Sequence, residues 1–225
     1  MFARTTPPPL PTLLLIATLL ILPSLAGCLQ PTIHLSGVET RDYQGTHLSS
    51  INDFHENSIN GPQYIDNATY RLQITGLVQT PTNITLTDLI DNHTHITKVA
   101  TLNCVEGWSV TILWEGILVR DLLNETKLLP SANTIVFSAY DGYTTSFPLS
   151  YIMNNSIILA YKMNNVTLPP ERGYPFQLVA EGKWGYKWIK WVTAIDLTNS
   201  SQLSGYWESR GYSDSGDLNQ SFLGH

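Results

Sequence analysis

The chain has 225 residues, 43% of them hydrophobic and only 13% charged, and its formal net charge is −6. That is enough apolar material for one sizeable core, and its 12 Lys plus Arg are too few for a nucleic-acid footprint. Nucleic acid is excluded as a partner, and most of the chain is expected to form one globule.

Residues 1–27 carry one early cation, Arg4, a Pro-rich spacer and an apolar run from Leu13 to Gly27 that Pro23 interrupts. The run is short for a bilayer span, which needs about 20 apolar residues. It ends in Leu25-Ala26-Gly27 just before Cys28, the shape of a lipoprotein processing site. The expectation is a cleaved signal segment over 1–27 and a mature chain that starts at Cys28 with a lipid on its sulfur. Residues 28–50, rich in Ser and Thr, are expected to be a tether, and an uncleaved signal anchor is the alternative. Either reading anchors the globule to a membrane on the extracytoplasmic side. Eight Asn-x-Ser/Thr sequons, at Asn67, Asn83, Asn92, Asn124, Asn154, Asn165, Asn199 and Asn219, point the same way. Roughly three would arise by chance, so the excess suggests an exported glycoprotein.

Beyond the tether the pattern is mixed and weighted toward strands. Tyr70 to Thr75 alternates apolar and polar residues before Gly76, as a half-buried strand does. Thr85 with Asp88 reads as a helix start, and Leu86, Leu89 and Ile90 give that short helix an apolar side. Ile96 to Leu102 and Val110 to Trp114 read as strands on either side of Cys104-Val105-Glu106-Gly107-Trp108, which places Cys104 in the loop between them. Leu118, Leu122 and Leu123 suggest a second short helix. Asp141-Gly142, between Thr134–Tyr140 and Tyr143–Phe147, is the strongest hairpin signal, and Asn164-Asn165 reads as another tight turn. Phe176–Val179 and Val192–Leu197 look like core strands. Residues 213–225 are polar and are expected to be a loose tail.

Two stretches are candidates for chemistry. With Cys28 assigned to processing, Cys104 has no disulfide partner, so it is either a buried small hydrophobe or a reactive or metal-binding thiol. Glu106 beside it is either a proton donor or a turn carboxylate. The second stretch, Gly182-Lys183-Trp184-Gly185-Tyr186-Lys187-Trp188-Ile189-Lys190-Trp191, has helical spacing. Each of its two glycines, however, costs up to about 1 kcal/mol in a helix interior. A Gly-rich loop entering a strand is favoured, offering N–H groups and ammonium ends to an anion while the indoles exclude water. His93-Thr94-His95 lacks a third ligand at a telling distance and reads as a surface pair.

Taken in order, these stretches resemble the molybdopterin-dependent oxidoreductase domain of the sulfite oxidase family. The matching residues run from Ile51-Asn52-Asp53-Phe54 through Leu102-Asn103-Cys104-Val105-Glu106-Gly107-Trp108-Ser109, Trp114-Glu115-Gly116, Asp141-Gly142-Tyr143 and Gly173-Tyr174-Pro175 to the Lys/Trp stretch. The resemblance is strongest to compact single-domain prokaryotic members, with the exported methionine sulfoxide reductase catalytic subunit as a cousin. It implies a strand-rich α+β domain over 51–212, a molybdenum-molybdopterin cofactor and two-electron oxygen-atom transfer on a small sulfur or nitrogen compound. Electrons would be exchanged with a separate redox partner, since no Cys-x-x-Cys-His for covalent haem is present. It also implies that Cys104 ligates the metal, that Lys187 and Lys190 hold the pterin and its phosphate, and that Asn52 and Phe54 contact the pterin from the other side. A soft thiolate suits a metal already bound by sulfur. Family members commonly carry an Arg after Gly-x-Pro, where this chain has Phe176-Gln177. One cationic contact is thereby missing, and the expected substrate shifts from an anion such as sulfite toward a neutral sulfoxide or N-oxide. The alternative is an exported binding module on the same scaffold without its cofactor.

Overall fold

The structure, a computed structural model, describes residues 38–200, 202 and 204–224. Cys28 and the apolar run before it lie outside the described residues. Two five-stranded sheets carry the fold. In the first, β3 (Arg71–Gly76) pairs antiparallel with β4 (Thr82–Thr85) and parallel with β12 (Val192–Thr198). β12 continues to β7 (Thr134–Ala139), which forms a hairpin with β8 (Thr144–Pro148). The second sheet is built on β5 (His95–Asn103) and β6 (Ser109–Leu118), with β9 (Ile158–Met163) next to β6. β10 (Val166–Thr167) and β11 (Gln177–Val179) both pair with β9.

The strands form where the apolar period demands it. Leu72 and Ile74 in β3 are buried while Arg71, Gln73 and Thr75 face solvent, the alternation of a strand with one wet face. β6 and β9 are buried along almost their whole length, which matches their near-continuous apolar runs. Gly116 marks a bulge between these strands, where a Cβ would sit 2.2 Å from the Leu159 carbonyl oxygen. Thr85 caps α1 (Leu86–Asn92) reciprocally: its hydroxyl accepts from the Asp88 N–H at 3.0 Å and donates to Oδ2 of Asp88 at 2.7 Å. α2 (Val119–Thr126) ends where Lys127 turns left-handed at φ 55°. α3 (Leu149–Asn154), which the sequence reading does not anticipate, is six residues long and buries Leu149 and Ile152 one turn apart.

Two expectations are corrected. The latter part of the expected tether is folded: β1 (Asp42–Tyr43) and β2 (Thr46–His47) form a small hairpin, and Leu48 beyond it is 0% exposed. Burying one leucine is worth about 1.5 to 3 kcal/mol. Asn164 binds this segment, because its amide donates to Oε1 of Glu39 and to the Ser49 carbonyl while its oxygen accepts from the Leu113 N–H. The Asn164-Asn165 turn was legible, with both residues at positive φ, 48° and 65°. Its second role as a clamp was not. The expected loose tail is also folded. Ser213 and Phe222 are joined by a backbone hydrogen bond, Asp217 pairs with Lys183 at 2.5 Å, and the Phe222 ring meets Trp184 edge-on.

Candidate active site

Cys104 occupies the first position of the turn that joins β5 to β6. The turn closes on itself: Cys104 N–H donates to the Trp108 carbonyl at 2.9 Å, and Gly107 N–H donates to the Cys104 carbonyl at 3.1 Å, with Gly107 at φ 90°. Those bonds fix the Cys104 backbone at the end of a nine-residue ladder. The Lys/Trp stretch then packs directly on it. A Cβ on Gly185 would sit 3.1 Å from the Asn103 carbonyl oxygen and 3.4 Å from the Cys104 Cα, so glycine lets the two backbones meet. The stretch is not a helix. Gly185–Lys187 makes a single 3₁₀ turn, and the chain then runs into β12.

Where the two stretches meet, they open a cavity of about 380 Å³, within the range of about 300 to 1,000 Å³ typical of small-molecule sites. Cys104 lies in its wall and is 9% exposed. Burial pushes the thiol up from its ordinary value; the backbone N–H groups of Val105 and Glu106 and the Asn57 amide turn toward the sulfur and pull the other way, while the Glu106 charge adds to the rise. Phe54 also lines it, its ring edge-on to Trp108 and Trp114. Trp188 and Trp191 add apolar wall, and each indole N–H is already spent on a backbone carbonyl, that of Lys183 and of Pro170 respectively.

The three lysines of the stretch part company. Lys190 lines the cavity, its ammonium 2.7 Å from Oε1 of Glu56 and 4.3 Å above the Trp191 ring. Burial pushes its pKa down, while Glu56 opposes that shift. Lys187, expected beside it, turns into the core instead. Its ammonium donates to the Ser146 carbonyl, to Oε1 of Glu208 and to the Asp214 carbonyl, which uses all three of its N–H bonds. No donor remains for a phosphate, so in this structure Lys187 is a structural cation. Lys183 is held by Asp217. Asn52 is exposed, does not line the cavity and is tied through its backbone N–H to the Ser50 hydroxyl.

Arg172 brings a guanidinium to the cavity wall. It lines the same cavity one residue before Gly173-Tyr174-Pro175, donates to the carbonyls of Ile51 and Phe54, and stacks 4.8 Å from the Phe54 ring centre. Gln177 itself is 3% exposed in the cavity wall, and its buried Oε1 has no hydrogen-bond partner among the described residues. A buried amide oxygen left unpaired costs about 1 to 3 kcal/mol. Glu106 accepts from the Asn57 amide and from the Trp108 indole, both at 3.1 Å. Those bonds lower its carboxyl from the ordinary value, which favours the turn-carboxylate reading. The two histidines separate: His93 pairs with Glu125 at 3.3 Å and His95 with the Tyr161 hydroxyl at 2.7 Å. Among the described residues no cluster of three or more His, Cys, Asp or Glu can hold a metal by protein ligands alone.

This donor set fits a metal that brings most of its own ligands. One soft thiol, two cations and indole walls converge on one cavity, a set suited to an anionic, sulfur-ligated metal cofactor. The comparisons agree. The family described as an oxidoreductase molybdopterin binding domain matches residues 59–207. An uncharacterized oxidoreductase of Bacillus subtilis is 31% identical over 69% of this chain and 78% of its own length. The catalytic subunit of the protein-methionine-sulfoxide reductase of Gluconobacter oxydans is 30% identical over 57% of this chain and 46% of its own. The crystal structure of the sulfane dehydrogenase SoxCD from Paracoccus pantotrophus superimposes with a TM-score of 0.61 and 25% identity, covering 69% of this chain and 43% of that one. The chain thus spans about half the length of the latter two relatives.

Proposed function

Given that the chain belongs to the oxidoreductase molybdopterin-binding domain family of the sulfite oxidase type, and is an oxidoreductase whose cofactor is molybdenum-molybdopterin, we propose that it reduces a small neutral oxide, a sulfoxide or an N-oxide, in the Cys104 cavity. The observation that carries this reading is the charge of the cavity wall. Glu56, Glu106, Asp141 and Glu171 line it against two cations, Lys190 and Arg172, and Gln177 presents an uncharged amide. With Lys190 committed to the anionic cofactor, Arg172 alone is left to offset an anion such as sulfite against those carboxylates, whereas a neutral oxide needs no such offset. In the proposed reaction the S–O or N–O bond breaks, two electrons arrive from a separate redox protein, and the oxygen leaves as water with two protons.

The bound cofactor supplies a metal that changes oxidation state by two electrons, and the chain supplies its surroundings. Cys104 gives the thiolate ligand. Lys190, now paired with Glu56, would offer its ammonium to the anionic cofactor. Phe54, Trp188 and Trp191 exclude water from the reacting centre. Arg172 holds the backbone of Ile51 and Phe54 in place with one edge of its guanidinium and presents charge to the cavity. Export with a lipid on Cys28 is part of the same proposal, motivated by Leu25-Ala26-Gly27-Cys28 and by the sequons.

The experiment compares reduction of sulfoxides and N-oxides by a reduced dye with oxidation of sulfite by ferricyanide, on one cofactor-loaded preparation. Oxide reduction that disappears in Cys104→Ser is expected. Robust sulfite oxidation without oxide turnover would overturn the substrate class, and full activity in Cys104→Ser would overturn the site.

A further inference from the structure

We infer that Asn57 is a positioning residue for the Cys104 thiolate: its side-chain N–H points at the sulfur and sets how much electron density that sulfur gives to a bound metal. The inference rests on the reading that Cys104 is the metal's protein ligand. Nδ2 of Asn57 lies 3.7 Å from Sγ, within reach of an N–H···S hydrogen bond, and Asn57 is the one side chain among the described residues that reaches it. The same nitrogen is 3.1 Å from Oε2 of Glu106. An amide nitrogen carries two N–H bonds, so one can serve the carboxylate while the other serves the sulfur.

The orientation is not left to chance. Oε2 of Glu106 is held at the same time by the Trp108 indole N–H, 3.1 Å away, and the Trp108 carbonyl accepts the Cys104 N–H. The links from Trp108 to Glu106, from Glu106 to Asn57 and from Asn57 to Cys104 therefore form a ring closed through the turn that carries the thiol. The next residues along, up to Asn60, are tied down by the Asn60 amide, which donates to the Asp141 carbonyl at 2.8 Å. The main-chain N–H groups of Val105 and Glu106 also face the sulfur, but they come with the turn itself. Asn57 is the adjustable donor, brought 47 residues along the chain to this one atom.

The chemistry that gives this arrangement a purpose is general. A metal-bound thiolate donates electron density, and an N–H directed at the sulfur withdraws part of it, which favours the reduced metal and raises its potential. A residue that merely closed the loop would leave that potential alone.

The test uses the cofactor-loaded protein and reads its metal midpoint potential and its thiolate-to-metal charge-transfer band. Asn57→Leu keeps the bulk and removes the donor. Because Asn57 is exposed, the unfolding temperature should hold while the potential falls and the band moves. Asn57→His offers a ring N–H from nearly the same place and should bring both back toward the parent values. Unchanged potential and band in Asn57→Leu overturn the inference, as does a shift that Asn57→His fails to reverse. If Asn57→Leu does not fold, Asn57→Ala carries the same comparison; if it loads no metal, retention becomes the readout that Asn57→His must restore. A parent protein that holds the metal but shows no thiolate band would instead overturn the reading of Cys104.

Discussion

The ammonium of Lys187 and the carboxylate of Glu208 meet at 2.6 Å with both side chains 0% exposed. Thr145 donates a second hydrogen bond to the same oxygen of Glu208 at 2.7 Å. The pair fastens the 3₁₀ turn Glu208–Arg210 to the core, and with it Trp207 and Tyr212, which line the cavity. Removing one partner leaves a buried charge without its counterion, a change that costs about 3 to 5 kcal/mol. Lys187→Ala should therefore appear first as a lowered denaturation midpoint in cofactor-free protein. A normal midpoint combined with lost cofactor would return Lys187 to the cofactor-binding role the sequence suggested.

Lys190→Ala should behave in the opposite way. Its partner Glu56 is part-exposed at the cavity rim, so the pair adds about 1 kcal/mol or less to stability. A charge-assisted contact to an anionic cofactor is worth about 1.5 to 3 kcal/mol. The expected result is a near-normal unfolding temperature with cofactor lost on dilution, measured as molybdenum per protein after gel filtration. Glu56→Gln, which frees the ammonium, should retain cofactor at least as well as the parent.

Acid stability should carry the signature of Glu115. Burial raises its pKa, but hydrogen bonds from Tyr161 and Lys162 outweigh that and leave it below its ordinary value of 4.5. A carboxyl lowered in the folded state stabilises it fully above its unfolded value, and the contribution is lost as pH falls through the folded value. Tyr161→Phe should therefore lower stability by a constant amount above about pH 4.5, and the gap to the parent should narrow below it. Denaturant titrations from pH 3 to 7 test this; a gap that is flat or widens toward acid would contradict it.

Deleting residues 213–225 should destabilise the domain. It removes Asp217 from Lys183, the Asp214 carbonyl from Lys187 and Phe222 from Trp184. The unfolding temperature of the truncated chain should drop clearly, and an unchanged value would restore the picture of a loose tail.

What the sequence determined by itself is local. The β5–β6 turn at Cys104 follows from apolar runs that end at Gly107, the Thr85 cap from its partner three residues on, and the hairpins from Asp141-Gly142 and Asn164-Asn165, because each depends on φ preferences and contacts within a few residues. The pairing of the Cys104 turn with the Lys/Trp loop came from the resemblance, and Gly185 shows how closely they meet. Only the tertiary structure decided which way each lysine points. Lys183, Lys187 and Lys190 lie within eight residues and look equivalent in sequence, yet their fates are set by Asp217, Glu208 and Glu56, which lie 34, 21 and 134 residues away. The same holds for Arg172, Asn57 and the clamp that Asn164 places on Glu39 across 125 residues. Side-chain direction inside a packed loop is fixed by distant partners that satisfy buried charge and hydrogen bonds, and no periodicity along the chain encodes it.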